Sequence, residues 1–306
     1  MSTSFNSDVS SMLQFFKEVV YWPLWDLFAG TLSSPQIYIA LGITLLAERL
    51  IPADPNQRIF SISFFQDMAW FFYETVSDAF INVIYFGGLT WVYMTYFSFL
   101  TIHSAADWPY ALRFVVGVLL LDFLYWYQHY LNHKVPWLWE FHAVHHSQKE
   151  MNFFTDFRYH TFEYIVRKTI LAVPFLILSV HTPTIVAYAI VTKWYTRFYH
   201  GNVRLNLGPL RHILVTPQSH RIHHSRLPQH RDLNFGSLFC IWDRIFKTQY
   251  FGHNEYPPTG IDDARFPLEK DARLDNVVLM PLKQMVYPII KIVRLARESL
   301  IKNLKR

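Results

Sequence analysis

The sequence predicts an all-α, integral-membrane helical bundle with histidines gathered at the cytosolic ends of its helices. Three observations lead there. Of 306 residues, 52% are apolar and 18% aromatic while only 17% are charged, too few charges for an ordinary soluble surface. Four apolar regions approach the roughly 20 residues that a helix needs to cross a bilayer. Nine of the fifteen histidines fall into four tight places, at spacings that suit one face of a helix.

The first apolar region is Pro35 to Leu50, inside an uncharged run from Leu27 to Ala47. The second, Phe64 to about Ile102, is too long for a single crossing. Tyr110 to His129 is the third, with Arg113 near its start and Asp122 alone inside it. Thr169 to Thr192 is the fourth, and His-Thr-Pro at 181–183 interrupts it. Proline and its predecessor resist helix continuation, so this region is expected to turn back within the membrane as two half-helices. Both of its ends then face one side.

Basic residues recur on that side, among them Arg49, Arg58, Lys134, Lys149, Arg158, Arg167, Lys168, Lys193, Arg197 and Arg204, which places it in the cytosol. The net charge of +5 is spread along loops and the C-terminal KNLKR, fitting anionic headgroups and not nucleic acid. The N-terminal stretch lacks the basic start and apolar core of a signal peptide, so insertion is expected to rely on internal segments. No linker divides the chain. It reads as N-terminal membrane helices over 1–110, a histidine-bearing region over 111–250, and a tail over 251–306. Apolar and basic positions alternate at helical spacing from Val277 to Leu304, predicting an amphipathic helix on the membrane surface.

The clustered histidines are His129 and His133 in HYLNH, His142, His145 and His146 in HAVHH, His200 in FYHGN, and His220, His223 and His224 in HRIHH. HxxxH and HxxHH on helices project imidazoles toward common points, and three such groups can enclose two metal ions. His103, His181, His212, His230 and His253 stand outside the motifs and read as packing or interfacial residues. The one cysteine, Cys240, forms no internal disulfide or thiolate site, so metal chemistry falls to histidine. Imidazole suits iron, zinc, copper and nickel alike. HExxH and paired ExxH motifs are absent, which excludes a zincin and a carboxylate-rich di-iron bundle.

Three segments carry a resemblance: LWEFHAVHHSQKEMNFFTDFRYHTFE, FYHGNVRL and VTPQSHRIHHSRLPQHRDLNFGSLFCIWDRIFKTQ. In content and order they resemble the fatty acid hydroxylase / sterol desaturase superfamily, over roughly residues 36 to 250. The resemblance implies a transmembrane helical bundle with a cytosolic cap that holds two iron ions, and oxygen as co-substrate. It implies hydroxylation or desaturation of a membrane lipid, with RYHTFE leaning toward the sterol desaturase branch. It maps the nine clustered histidines to ligands and leaves His160 as a tenth candidate, ligand or supporting residue. Thr196, one turn before His200, stands where some hydroxylases carry a histidine, which leaves one metal's ligand count open. Asp122, two turns before His129, is expected to accept a ligand's second N–H; Asp232, Asn234 and Glu163 are weaker candidates for that role. Trp242 and Asp243 read as structural.

Two other readings compete. A membrane zinc hydrolase needs an open coordination position and a general base, and the boxes hold few carboxylates. A non-catalytic metal-binding membrane protein needs no substrate passage. Oxidative chemistry requires electrons, yet the chain shows no dinucleotide fingerprint, cysteine cluster or HPGG haem segment. A separate donor is therefore expected, a ferredoxin or cytochrome b5 with its reductase, docking near Lys134, Lys149, Arg158, Arg221 and Arg226.

Overall fold

Prolines and side-chain caps set where the helices begin. In the computed structural model, which describes Gly30 and residues 33–102, 108–178, 182–268 and 274–304, there is no β-strand among the described residues beyond isolated bridges. Helix α1 (Pro35–Leu50) opens on a proline, whose missing N–H costs nothing in a first turn. Ser61 caps α2 (Ile62–Phe80) by accepting from Phe64 N–H. A π-helical stretch (Ile81–Phe86), the short α3 (Gly87–Val92) and a second π-helical stretch (Tyr93–Phe97) carry that helix on.

The break that builds the site lies between α4 (Tyr110–Lys134) and α5 (Pro136–His146). Pro136 holds Val135 extended, at φ −97° and ψ 113°, so one helix ends and a second starts within two residues. The HxxxH of α4 is thereby turned against the HxxHH of α5.

Below the histidines lies an aromatic core. Trp70, Phe71, Phe153, Phe154 and Phe157 pack with Val144 of α5, mostly edge to face. Asp67 is buried beside it and accepts from Arg158 at 3.0 Å, Gln148 at 2.7 Å, Asn152 at 2.8 Å and Thr155 at 2.9 Å. A buried charge is tolerated only when it is satisfied in this way. Arg158 is completed by Gln284 of α10 (Leu274–Leu304), which also accepts from Trp70 Nε1 at 2.8 Å.

Between α5 and α10 run α6 (Thr161–Leu178), α7 (Thr182–Tyr199), α8 (Pro217–His223) and α9 (Ile241–Ile245). Tyr159, just before α6, stacks on His145, and His200, just after α7, also lies against His145. The chain thus leaves the histidines along α6 and returns along α7. Both helices are longer than the span expected from hydropathy, because Glu163, Arg167, Lys168, Lys193 and Arg197 belong to them and not to loops.

Large apolar side chains stay exposed on several helices: Ile39 and Ile43 on α1, Leu112 and Val115 on α4, Ile289 and Val293 on α10. Residues 110–134 and 276–303 are each long and apolar enough to cross a bilayer. This surface suits lipid better than water, as expected of a membrane protein.

Candidate metal centre

Helical geometry divides the nine histidines into two groups. Residues i and i+4 share a face, whereas neighbours diverge by about 100°. On α5, His142 and His146 therefore point together and His145 points elsewhere. On α8 and its C-cap, His220 and His224 point together and His223 departs. The resulting sets are His129, His133, His142, His146 and His223, and His145, His200, His220 and His224. Each HxxHH gives two imidazoles to one group and one to the other. In each set the ligand atoms all lie within 4.8 Å of one another.

All the short contacts inside the groups join Nε2 atoms. In the first, His146 Nε2 is 3.2 Å from that of His133 and 3.1 Å from that of His142. In the second, His200 Nε2 is 3.2 Å from that of His145 and 2.8 Å from that of His220, and His224 Nε2 is 3.1 Å from that of His220. Two nitrogens bound at right angles to an ion at about 2.1 Å would stand ~3.0 Å apart, so the spacing fits a shared cation.

The opposite ring nitrogens show why these atoms face inward as lone pairs. His142 Nδ1 donates to Glu163 Oε1 at 2.9 Å, His129 Nδ1 to Phe235 O at 3.0 Å, His223 Nδ1 to Leu233 O at 2.8 Å, and His200 Nδ1 to Thr196 O at 2.7 Å. A nitrogen facing a carbonyl or carboxylate carries the proton, which fixes the tautomer and leaves Nε2 bare. His129 Nε2 and His223 Nε2 are buried without any hydrogen-bond partner. Burial first, then mutual repulsion, holds His145, His146, His220 and His224 well below the usual imidazole range, and burial pushes His223 down to about 3. Nine buried imidazoles with converging nitrogens fit two cations, one with five nitrogen donors and one with four. The four-donor set agrees with Thr196 replacing a histidine. Its hydroxyl donates instead to Asp156 Oδ2 at 3.0 Å, and Asp156 Oδ1 lies 3.4 Å from His200 Nδ1.

The supporting residues differ from expectation. Asp122 does not reach an imidazole: it accepts from Tyr188 at 2.6 Å, Leu238 N–H at 3.0 Å, Phe239 N–H at 3.3 Å and Trp242 Nε1 at 2.9 Å. It therefore clamps the loop before α9 onto α4. His160 stands apart from both groups, with Nδ1 accepting from Phe162 N–H and Nε2 donating to Met285 O at 2.9 Å. Asn234 is structural too, at φ 59°, bonded to Ser219 O and Tyr250 N–H. Asp232 does approach a clustered histidine, 3.5 Å from His133 Nδ1, while it pairs with Lys134 at 2.6 Å. Glu163 makes the closest carboxylate contact, and Asn132 holds it in place at 2.6 Å. Asn132 and Asp156 carried no pattern in the sequence that marked them.

Asp243 accepts from Trp126, Phe235 N–H, Gly236 N–H and Thr248, a structural hub as expected. His230 is buried between Ser225 and Glu255, and His212 and His253 take no part in the groups. His103 and His181 lie outside the described residues. Arg158 and Arg221 are buried and cannot serve a docking surface, whereas Lys149 and Arg226 are exposed.

The comparisons agree with this geometry. Residues 114–248 match the model of the fatty acid hydroxylase family. An ornithine lipid hydroxylase of Rhizobium tropici is 31% identical over 156 residues, 51% of this chain and 46% of that protein. The alkylglycerol monooxygenase of Homo sapiens is 36% identical over 131 residues, 42% of this chain and 28% of that protein. The cholesterol 25-hydroxylase of Homo sapiens is 27% identical over 156 residues, 48% of this chain and 54% of that protein. The chain thus spans about half the length, or less, of these relatives. No solved structure matches it significantly.

Proposed function

From the match of residues 114–248 to the fatty acid hydroxylase family, we propose that the chain is an O2-dependent oxidoreductase that hydroxylates a C–H position of a membrane lipid. The observation that carries the proposal is the pair of buried histidine groups with converging Nε2 atoms, four of whose rings, His129, His142, His200 and His223, have their tautomer fixed from behind. His129, His133, His142, His146 and His223 would hold one iron, and His145, His200, His220 and His224 the other. When bound, the two irons supply oxygen activation and electron exchange.

The remaining roles fall to the protein. Glu163, Phe235 O, Leu233 O and Thr196 O orient the imidazoles and raise their basicity toward metal. Trp139, whose ring lies 5.0 Å from His133 and 5.4 Å from His146, covers the five-histidine group against water. Hydroxylation of RH to ROH consumes O2, two electrons and two protons and releases water. We assign the electrons to a separate donor, a ferredoxin or cytochrome b5 with its reductase. In this reading the bundle is multi-pass, the histidine cap is cytosolic, and α6 and α7 form a pair that enters and leaves on that side.

The test combines metal and product analysis. Iron-replete protein is expected to hold about two irons per chain and to form a hydroxylated lipid only with O2 and a donor. His145→Ala or His223→Ala should abolish turnover and lower iron occupancy, while His253→Ala leaves both intact. Equal losses in all three variants would refute the ligand assignment.

A further inference from the structure

A cavity of about 290 Å³ reaches both histidine groups, touching His129 and His142 of one and His145, His200 and His220 of the other. It runs outward between α2, α4, α6 and α7 and ends at Asp78, Lys168 and Lys193. Its walls are far more charged than a passage for a hydrocarbon requires. Glu74, Asp78, Asp156 and Glu163 face Arg167, Lys168, Lys193 and Arg197, four acids against four cations.

These charges are arranged along its length. Near the histidines, Arg167 stacks on the rings of Tyr164 at 4.2 Å and Tyr159 at 5.0 Å, and Arg197 lies over Phe157 at 4.2 Å. Glu74 accepts from the Tyr164 hydroxyl. At the outer end Lys168 is 3.4 Å from Asp78, both are partly exposed, and Lys193 is exposed. Two lining residues, Gln128 and Glu163, are more than nine-tenths buried and each keeps a buried polar atom, Nε2 and Oε2, without a hydrogen-bond partner. The same helices also carry exposed apolar side chains that do not line the cavity, Val76 on α2 and Ile190 and Val191 on α7.

We propose that this cavity receives the zwitterionic headgroup of a membrane lipid, so that the carbon brought to the histidines lies in or beside the headgroup while the apolar tail stays outside. The inference rests on the oxygenase reading above. A sterol nucleus or alkyl tail filling the same space would cover the charged lining and strand Gln128 and Glu163 without offering a bond to any of them. A headgroup bearing both signs satisfies both sets of wall charges. The volume agrees, since it falls just under the roughly 300–1,000 Å³ of pockets that enclose drug-sized ligands. The exposed apolar side chains of Val76, Ile190 and Val191 on the lining helices then give the tail an apolar surface to follow.

Two measurements on the full chain in nanodiscs decide it. The first is binding of three probes: lysophosphatidylethanolamine with an eight-carbon chain, octylglycerol and cholesterol. The zwitterion should bind tightest, and Lys193→Met should weaken it by about tenfold, the loss of one charge-assisted hydrogen bond, with iron content unchanged. Cholesterol binding as tightly, or zwitterion binding indifferent to Lys193→Met, overturns the proposal. The second is turnover under ¹⁸O2 with donor and a natural lipid extract, the label being located by fragmentation. Label in the headgroup fragment or on the carbon joined to it supports the proposal; label in the distal tail or a sterol nucleus overturns it. If no lipid is labelled at all, the oxygenase reading fails, and the binding series still decides the headgroup.

Discussion

His142 donates its Nδ1 proton to Glu163, and Glu163 is itself held by Asn132. Such a chain fixes ring orientation and basicity, and losing its carboxylate typically costs 10–100-fold in metal affinity. Glu163→Ala should therefore weaken iron binding by roughly that factor, measured by chelator competition. Asp122→Ala should act differently, because Asp122 bonds two backbone amides of the loop before α9, an indole and a phenol. Removing it strands buried donors at about 1–3 kcal/mol each, so the melting temperature should fall while two irons still bind in the folded protein. The opposite pattern would reverse the two roles. Residue by residue, the grouping of the histidines was legible because i, i+4 spacing is a local property. The supporting shell was not. Asp122 sits two turns before His129 on the same helix, yet the loop around Leu238 and Phe239 occupies its carboxylate. Asp156 meets His200 across 44 residues of chain, a contact that no spacing encodes.

At the scale of elements, hydropathy located the helices and misjudged their ends. The fourth apolar region was expected over 169–192, whereas α6 and α7 extend to Thr161 and Tyr199. Their charged turns read as loop because a sequence does not reveal a polar cavity, and four of the basic residues assigned to the cytosolic flank line that cavity. The C-terminal helix also gains a definite place. Gln284 bonds Arg158 and Trp70, Met285 O accepts a hydrogen bond from His160 Nε2, and Lys291 pairs with Glu140 at 2.7 Å and Asp263 at 3.0 Å. These polar contacts hold the middle of α10 against α5, which carries His142, His145 and His146, although its length and composition would also permit a crossing. Cysteines placed at Lys149 and Lys302 should then label from the same, cytosolic side. Labelling from opposite sides would show that α10 crosses.

For the whole molecule, the proposed oxygenase chemistry calls for two electrons per hydroxylation, which we assign to a separate donor. Of the basic residues first considered for docking, Lys149 and Arg226 are exposed, and Lys134 is partly committed to Asp232. Reduction by an acidic carrier should slow as ionic strength rises, and the Lys149→Glu, Arg226→Glu double variant should slow it at low salt. Salt-independent reduction would place the docking surface elsewhere.

Neighbouring histidines, His145 with His146 and His223 with His224, fall in different groups and are proposed to hold different ions. Mössbauer spectroscopy of ⁵⁷Fe-loaded, reduced protein tests this division most directly, because a five-nitrogen and a four-nitrogen site should give two distinct iron components of equal area. His223→Ala should perturb the component of the five-histidine group, and His224→Ala, one residue on, should perturb the other. A single iron component in the unaltered protein, or the same component altered by both substitutions, would contradict the account.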